Sequence, residues 1–165
     1  MSLVFLDFEA SSLSDHSYPI EIGCAWIQDD RVVQRASLIR PDPTWTPDWS
    51  SESACVHGIR RDALADAEPA ESVARRFATL LAGRTIISDA PEFDGRWLGQ
   101  LLDLLPRPTS LRVVDFDGIV HVVMSHEAQR AAYASLARAA SPHRAGGDAA
   151  RLATAWRAGL RAERG

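Results

Sequence analysis

Lysine is absent, and all 18 basic residues are arginine. Compositional bias accounts for this as readily as phosphate recognition does, so the absence excludes nothing by itself. Cysteine is scarce. Cys24 and Cys55 have neither the spacing of a zinc site nor the number of a disulfide framework, and are expected to be small buried hydrophobes. No apolar run approaches the roughly 20 residues of a membrane span. No low-complexity tract, linker or internal repeat divides the chain, so its 165 residues are expected to form one domain, 1–165, with a substantial core. Met1 leads directly into a strand-like segment with no basic stretch before it. A secretory leader is therefore not indicated, and the expectation is a cytoplasmic protein without membrane association.

Net positive charge is missing as well. At −4 the chain is not a general polyanion binder. The charge is unevenly spread: from Ser125 to Gly165 seven arginines face Glu127, Asp148 and Glu163, a balance of +4 that leaves −8 for the first 124 residues.

Leu3–Leu6 is apolar and β-favouring, and it runs into Asp7-Phe8-Glu9-Ala10. Alternation along a strand puts Asp7 and Glu9 on one face and Phe8 on the other. Two carboxylates ending an apolar strand are costly unless something positive stands between them; a hard divalent cation suits them, and a solvated strand end is the alternative. Ile20–Ile27 and Arg31–Ile39 read as two further strands joined by a turn at Asp29-Asp30. Pro41–Ser53, with three prolines and two tryptophans, reads as an irregular connection in which Trp45 and Trp49 either tether the loop or offer stacking platforms for bases.

Helical spacing appears over Glu68–Leu81, with Gly83 as its stop. Thr85–Ser88 reads as a short buried strand. Asp89-Ala90-Pro91-Glu92 reads as a capping box opening a helix whose core stripe is Phe93, Trp97, Leu101 and Leu105. A fifth strand at Leu111–Asp115 precedes helical runs at about 118–124, 126–139 and 148–161. The order βββ-α-β-α-β-α-α predicts an α/β fold, a five-stranded mixed sheet with helices on both faces.

Asp94 and Asp148 both fall in first turns of helices that open off the sheet. If those openings share the edge where Asp7 and Glu9 emerge, four carboxylates face one point and one or two Mg²⁺ or Mn²⁺ ions satisfy both charge and ligand type. Each acid taken singly is also an ordinary first-turn acid. His143, five residues before Asp148 in a Pro/Gly loop, can accept a proton from water beside such ions, and taken singly reads as a solvated loop histidine.

Three segments in this order, Asp7-Phe8-Glu9, Phe93-Asp94 and His143-Arg144-Ala145-Gly146-Gly147-Asp148, resemble the DEDDh subgroup of the DnaQ-like 3′–5′ exonucleases, which includes proofreading subunits, ribonuclease T and oligoribonuclease. Val56-His57-Gly58-Ile59 is similar to a further recurrent family segment. The resemblance spans residues 7–148. It implies an RNase H-like fold and a pair of ions held by Asp7, Glu9, Asp94 and Asp148. Asp7 would bridge the two, Asp94 would reach the second largely through water, and His143 would be the base. It further implies a substrate side formed by Phe8, Ala10, Ser11, Leu13 and His57. The implied partner is the 3′ end of single-stranded DNA or RNA, the product a nucleoside 5′-monophosphate, and the protein either a monomer or a homodimer. Cations neutralise the surroundings of the scissile phosphate, so an acidic site can accept a polyanion. Oligoribonuclease-like action on short RNAs, or a binding module without turnover, are the alternatives.

Two departures stand out. Ala10-Ser11-Ser12 replaces the Thr or Thr-Gly that follows the first motif in proofreading members. Leu13 is then either a wedge against the last base or a core residue. Ser88-Asp89-Ala90-Pro91-Glu92 replaces the common His-Asn-Ala lead-in and is one residue longer, which makes Asp89 the alternative to Asp94.

Overall fold

The computed structural model describes residues 2–107 and 111–164; Met1 and Gly165, the ends of the expected domain, lie outside them. Its first three strands follow from their alternating apolar pattern. β1 (Leu3–Ala10), β2 (Pro19–Gln28) and β3 (Arg31–Arg40) form an antiparallel meander. Asp29 and Asp30, at φ of 50° and 58°, make the turn between β2 and β3. Two positive φ values in a two-residue loop give the twist that hairpin strands need, and short Asp side chains tolerate them.

β5 (Thr85–Ser88) pairs parallel with β1, and β6 (Val113–Asp115) pairs parallel with β5. A two-residue β4 (Glu68–Pro69) pairs parallel with the far end of β3. The strand order is β4-β3-β2-β1-β5-β6, so the mixed sheet has six strands instead of the expected five. The extra one lies where the sequence reads as the start of a helix. That helix, α2, runs only over Ala70–Leu81, because Pro69 donates no amide and can stand at a sheet edge.

Helices cover both faces, as expected. α2 and α3 (Pro91–Leu102) pack on the even-numbered residues of β1, namely Val4, Leu6, Phe8 and Ala10. α4 (Phe116–Val123), α5 (His126–Arg138) and α6 (Ala145–Ala162) pack on the other face, where Phe5 meets Phe116 and Trp156 at ring separations of 6.2 and 5.9 Å. Each such buried aromatic contributes roughly 2–3 kcal/mol. Phe8 thus belongs to the α2–α3 face, and its strand neighbours Asp7 and Glu9 turn toward α6.

The 41–58 connection is not wholly irregular. It contains α1 (Ser51–His57), capped by Ser50 Oγ accepting from Ser53 N at 3.1 Å and closed by Gly58 at φ 66°. Trp45 stacks on Tyr18 and Trp49 meets His57 edge-on, so both tryptophans tether this connection. Cys24 is buried as expected. Cys55 is exposed, because it lies on the outer side of the unanticipated α1.

The parallel pairing decides where the acids meet. Phe5 stands opposite Ile87, so two residues further along β1 reaches Asp7, and two residues past Ile87, just beyond the end of β5, reaches Asp89. On the other side of β1, Glu9 stands opposite Glu21 of β2. The backbone of the first turn of α6 lies directly on β2. A Cβ at Gly23 would come within 2.1 Å of the Ala145 carbonyl carbon and 2.2 Å of Gly146 N. That approach delivers Asp148 to the end of β1.

Candidate active site

Five carboxylates converge at the C-terminal ends of β1 and β5. In Asp7, Glu9 and Asp148 one carboxylate oxygen from each lies within 4.8 Å of the others, and the same holds for Asp7, Asp89 and Asp94. Asp7 belongs to both sets. The four acids singled out in the sequence therefore come together, and Asp89 joins them.

Asp89 does not cap α3. The helix is capped at Ala90 with no side-chain bond, and Ser88 Oγ takes the Ala90 amide at 2.8 Å instead. The capping-box reading fails because Ser88 is one position better placed, and the Asp89 carboxylate is left to turn toward Asp7 and Asp94. Asp89 and Asp94 are thus neighbours in one cluster and not alternatives.

Burial and like charge shape the protonation of these groups. Asp7 is pushed up to about 10, first by burial and then by Asp94, Glu9, Asp148 and Asp89. Glu9 is raised to about 7 by burial, then by Asp148 and Glu21, against a lowering by Arg144. Asp94, only 1% exposed, is raised to about 7 by burial although it accepts hydrogen bonds from the Ser88 hydroxyl and the Phe8 amide. Burial raises Asp89 also. Desolvation disfavours a carboxylate and neighbouring anions disfavour it further; a divalent cation reverses both effects and takes oxygen ligands. The donor set therefore fits hard cations.

His143 stands apart from the two acid sets on an exposed turn, at φ 50°. Ser141 joins it to them. Its Oγ donates to Asp148 Oδ1 at 2.7 Å, accepts the His143 amide at 3.3 Å and lies 3.4 Å from His143 Nδ1. The Arg144 amide donates to Asp148 Oδ2 at 3.2 Å, and Arg151 Nη1 lies 3.9 Å from Asp148 Oδ1.

Beside Glu9 is a slot of about 140 Å³ lined by Phe8, Glu9, Ala10, Ser12, Leu13, Ser53, Val56, His57 and Trp97. It gathers four of the five residues expected on the substrate side. Leu13 is 69% exposed at its mouth, which rules out the core alternative. Ser11 is not in the slot. Its hydroxyl accepts the Tyr18 amide at 3.0 Å and its backbone bonds Tyr18 and Ser50, so it is spent on closing the loop after β1. His57 is buried; its Nδ1 accepts the Ile59 amide at 2.9 Å, and burial lowers its pKa. An accepting Nδ1 on a neutral ring leaves the proton on Nε2, which is buried without a partner among the described residues.

Sequence reasoning passed over three contributors. Ser88 and Ser141 are ordinary loop-edge serines with no signal beyond proximity to the motifs. Glu21 had one: it is the lone acid in the apolar run Ile20–Ile27, and it is buried.

Residues 4–155 match the RNase T family, described as exonuclease. The chain belongs to the RNase T exonuclease family. No curated protein matches its sequence. This exonuclease domain is similar in fold to cell-death related nuclease 4 (TM-score 0.68, 16% identity, covering 97% of this chain and 64% of that one). It is also similar to a full-length 3′-exonuclease (TM-score 0.69, 14% identity, 96% and 60%). A third similar structure is a 3′-exonuclease described in 3′-end specific recognition of a histone mRNA stem-loop (TM-score 0.65, 14% identity, 99% and 82%). The chain spans less than two thirds of the first two of these proteins. The fold shared with them is the mixed sheet flanked by helices; in this chain that sheet brings the acids together at the ends of β1 and β5.

Proposed function

We propose that this exonuclease domain is a DEDDh-type 3′–5′ exonuclease that removes nucleoside 5′-monophosphates from single-stranded ends with two divalent cations, Mg²⁺ or Mn²⁺. The observation that carries this reading is the sharing of Asp7 by two carboxylate sets beside an apolar slot. Two centres bridged by one acid suit an in-line displacement at phosphorus, where charge develops on both the attacking and the leaving oxygen. Bound there, the cations supply that charge stabilisation and favour ionised water at neutral pH.

The chain's own residues do the rest. Asp7, Glu9 and Asp148 would hold one ion, and Asp7, Asp94 and Asp89 the other. His143, on its turn next to Asp148, accepts the proton of the attacking water. The slot takes the terminal nucleoside, with Leu13 set against its base and the Nε2–H of His57 offered to an acceptor. One narrow slot with two exposed apolar residues at its rim, Leu13 and Val56, suits an unpaired, unstacked base better than a duplex.

The test is digestion of a 5′-labelled single-stranded oligonucleotide, as DNA and as RNA, in Mn²⁺. The wild-type protein is expected to shorten it stepwise from the 3′ end, and Asp7→Ala to leave it intact. Equal digestion by Asp7→Ala, or loss from the 5′ end, overturns the reading.

A further inference from the structure

Glu21 stands opposite Glu9 on the neighbouring strand, is buried, and spends both oxygens on the residue that caps α6 and the first residue of that helix. Its Oε1 accepts from Arg144 Nη2 at 2.6 Å; its Oε2 accepts from Arg144 Nε at 3.0 Å and from the Ala145 amide at 2.9 Å. Arg144 directly follows His143, and its own amide bonds Asp148. A buried carboxylate is costly, and an apolar side chain on β2 would fill the same space without that cost. What the acid supplies is geometry. A forked guanidinium–carboxylate pair fixes distance and plane together, which a single surface ion pair does not. The contact of Gly23 with Ala145 already seats the helix on the sheet. The Glu21–Arg144 fork goes further and fixes the residue between that helix and the exposed His143.

We propose that Glu21 and Arg144 form a positioning clamp that sets where the His143 imidazole stands relative to Asp7, Glu9 and Asp148. The clamp rests on the nuclease reading for its purpose, and governs the chemical step while leaving cation binding and the nucleotide slot in place.

Glu21→Gln, Arg144→Gln, Arg144→Lys and the Glu21→Gln/Arg144→Gln double variant test it, all assayed well below their melting temperatures. On a 5′-labelled oligonucleotide in Mn²⁺, each Gln variant is expected to lower kcat by roughly a hundredfold, the scale of a 1 Å misplacement. KM and the Mn²⁺-induced rise in melting temperature should stay within about twofold of wild type. The double variant should be no slower than either single one, and Arg144→Lys should fall between. An unchanged kcat, losses that multiply in the double variant, or a raised KM with kcat intact overturn the clamp; the last would make Arg144 a substrate contact.

A second measurement does not need turnover. Paramagnetic broadening of the His143 ring signals by bound Mn²⁺, assigned with His143→Ala, reads the distance from imidazole to ion. It should be strong in the wild type and weaker in Glu21→Gln and Arg144→Gln. Equal broadening in all three overturns the clamp even if the wild-type protein degrades nothing, whereas absent degradation with altered broadening overturns the nuclease reading alone.

Discussion

Ser141 donates its hydroxyl proton to Asp148 Oδ1 at 2.7 Å. Ser141 Oγ also accepts the His143 amide at 3.3 Å, so one hydroxyl joins the acid on α6 to the loop carrying the histidine. Ser141 itself is half-buried in the loop between α5 and α6 and belongs to no core cluster.

Ser141→Ala should therefore act on the site and not on the fold. Partners that orient a metal ligand typically matter by roughly 10- to 100-fold in metal affinity or activity. The expected result is a weaker Mn²⁺ response in a thermal melt and a loss of kcat in that range, with the metal-free melting temperature within about 2 °C of wild type. A lowered metal-free melting temperature with full activity would show that the serine serves the fold.

The acid cluster makes the metal-free protein sensitive to pH. Asp7 is raised from an ordinary 3.8 to about 10, so the folded state holds its proton where the unfolded chain has released it. Its contribution to stability is complete below about pH 4 and is lost as pH rises towards 10. His57, lowered by burial, gives the opposite slope near its ordinary value, so the difference between two proteins is the quantity to follow. In EDTA, the urea unfolding free energy of wild type minus that of Asp7→Asn should fall steadily from pH 5 to pH 9. Mn²⁺ displaces the protons, so its stabilisation of the wild type should grow over the same range. A flat difference would mean that Asp7 is ionised in the metal-free fold.

Much of this arrangement was legible from local pattern. The alternation through Val4-Phe5-Leu6-Asp7-Phe8-Glu9 separates the two acids from Phe8, and the structure buries Phe8 against Trp97 with a ring separation of 6.3 Å. The first-turn places of Asp94 and Asp148 follow from the glycine, proline and apolar spacing around them. What escaped the sequence depends on tertiary choice. β4 is two residues long and exists only because the end of β3 is there to pair with. Asp89 reads as a cap until Ser88 is seen to take that bond. Glu21 is one polar position in an apolar strand, and its meaning appears only when a loop more than 120 residues away closes over it.

Leu13 separates substrate binding from stability. At 69% exposure its side chain does little for the fold, so Leu13→Ala should leave the melting temperature unchanged. Against a terminal base the same side chain would be buried, which is worth about 1.5 kcal/mol or more. KM for a short single-stranded oligonucleotide should rise about tenfold or more, with a smaller effect on kcat. An unchanged KM would remove Leu13 from the slot's function and leave its exposure without an explanation.

The approach of α6 to β2 makes the opposite kind of prediction, one about stability alone. Gly23 is a β2 residue with no space beside it: a methyl group would come within 2.1 to 2.2 Å of Ala145 and Gly146 backbone atoms. Backbone cannot rotate away as a side chain tip can, so Gly23→Ala must lift the first turn of α6 off the sheet. Overpacking of this kind costs about 1–3 kcal/mol or more. It also draws Asp148 back from Glu9 and Asp7, because the acid sits on the turn that moves. The variant should unfold at lower urea concentration than wild type in EDTA, and should lose most of the stabilisation that Mn²⁺ gives the wild type. A second glycine reports on the same contact, since a Cβ at Gly146 would come within 2.9 Å of the Ala36 methyl on β3. The Ala36 methyl is as fixed as the backbone that carries it but the overlap is smaller, so Gly146→Ala should show the same two effects at lower amplitude. If Gly23→Ala were as stable and as responsive to Mn²⁺ as wild type, the close seating of α6 on β2 could not be what delivers Asp148 to the cluster.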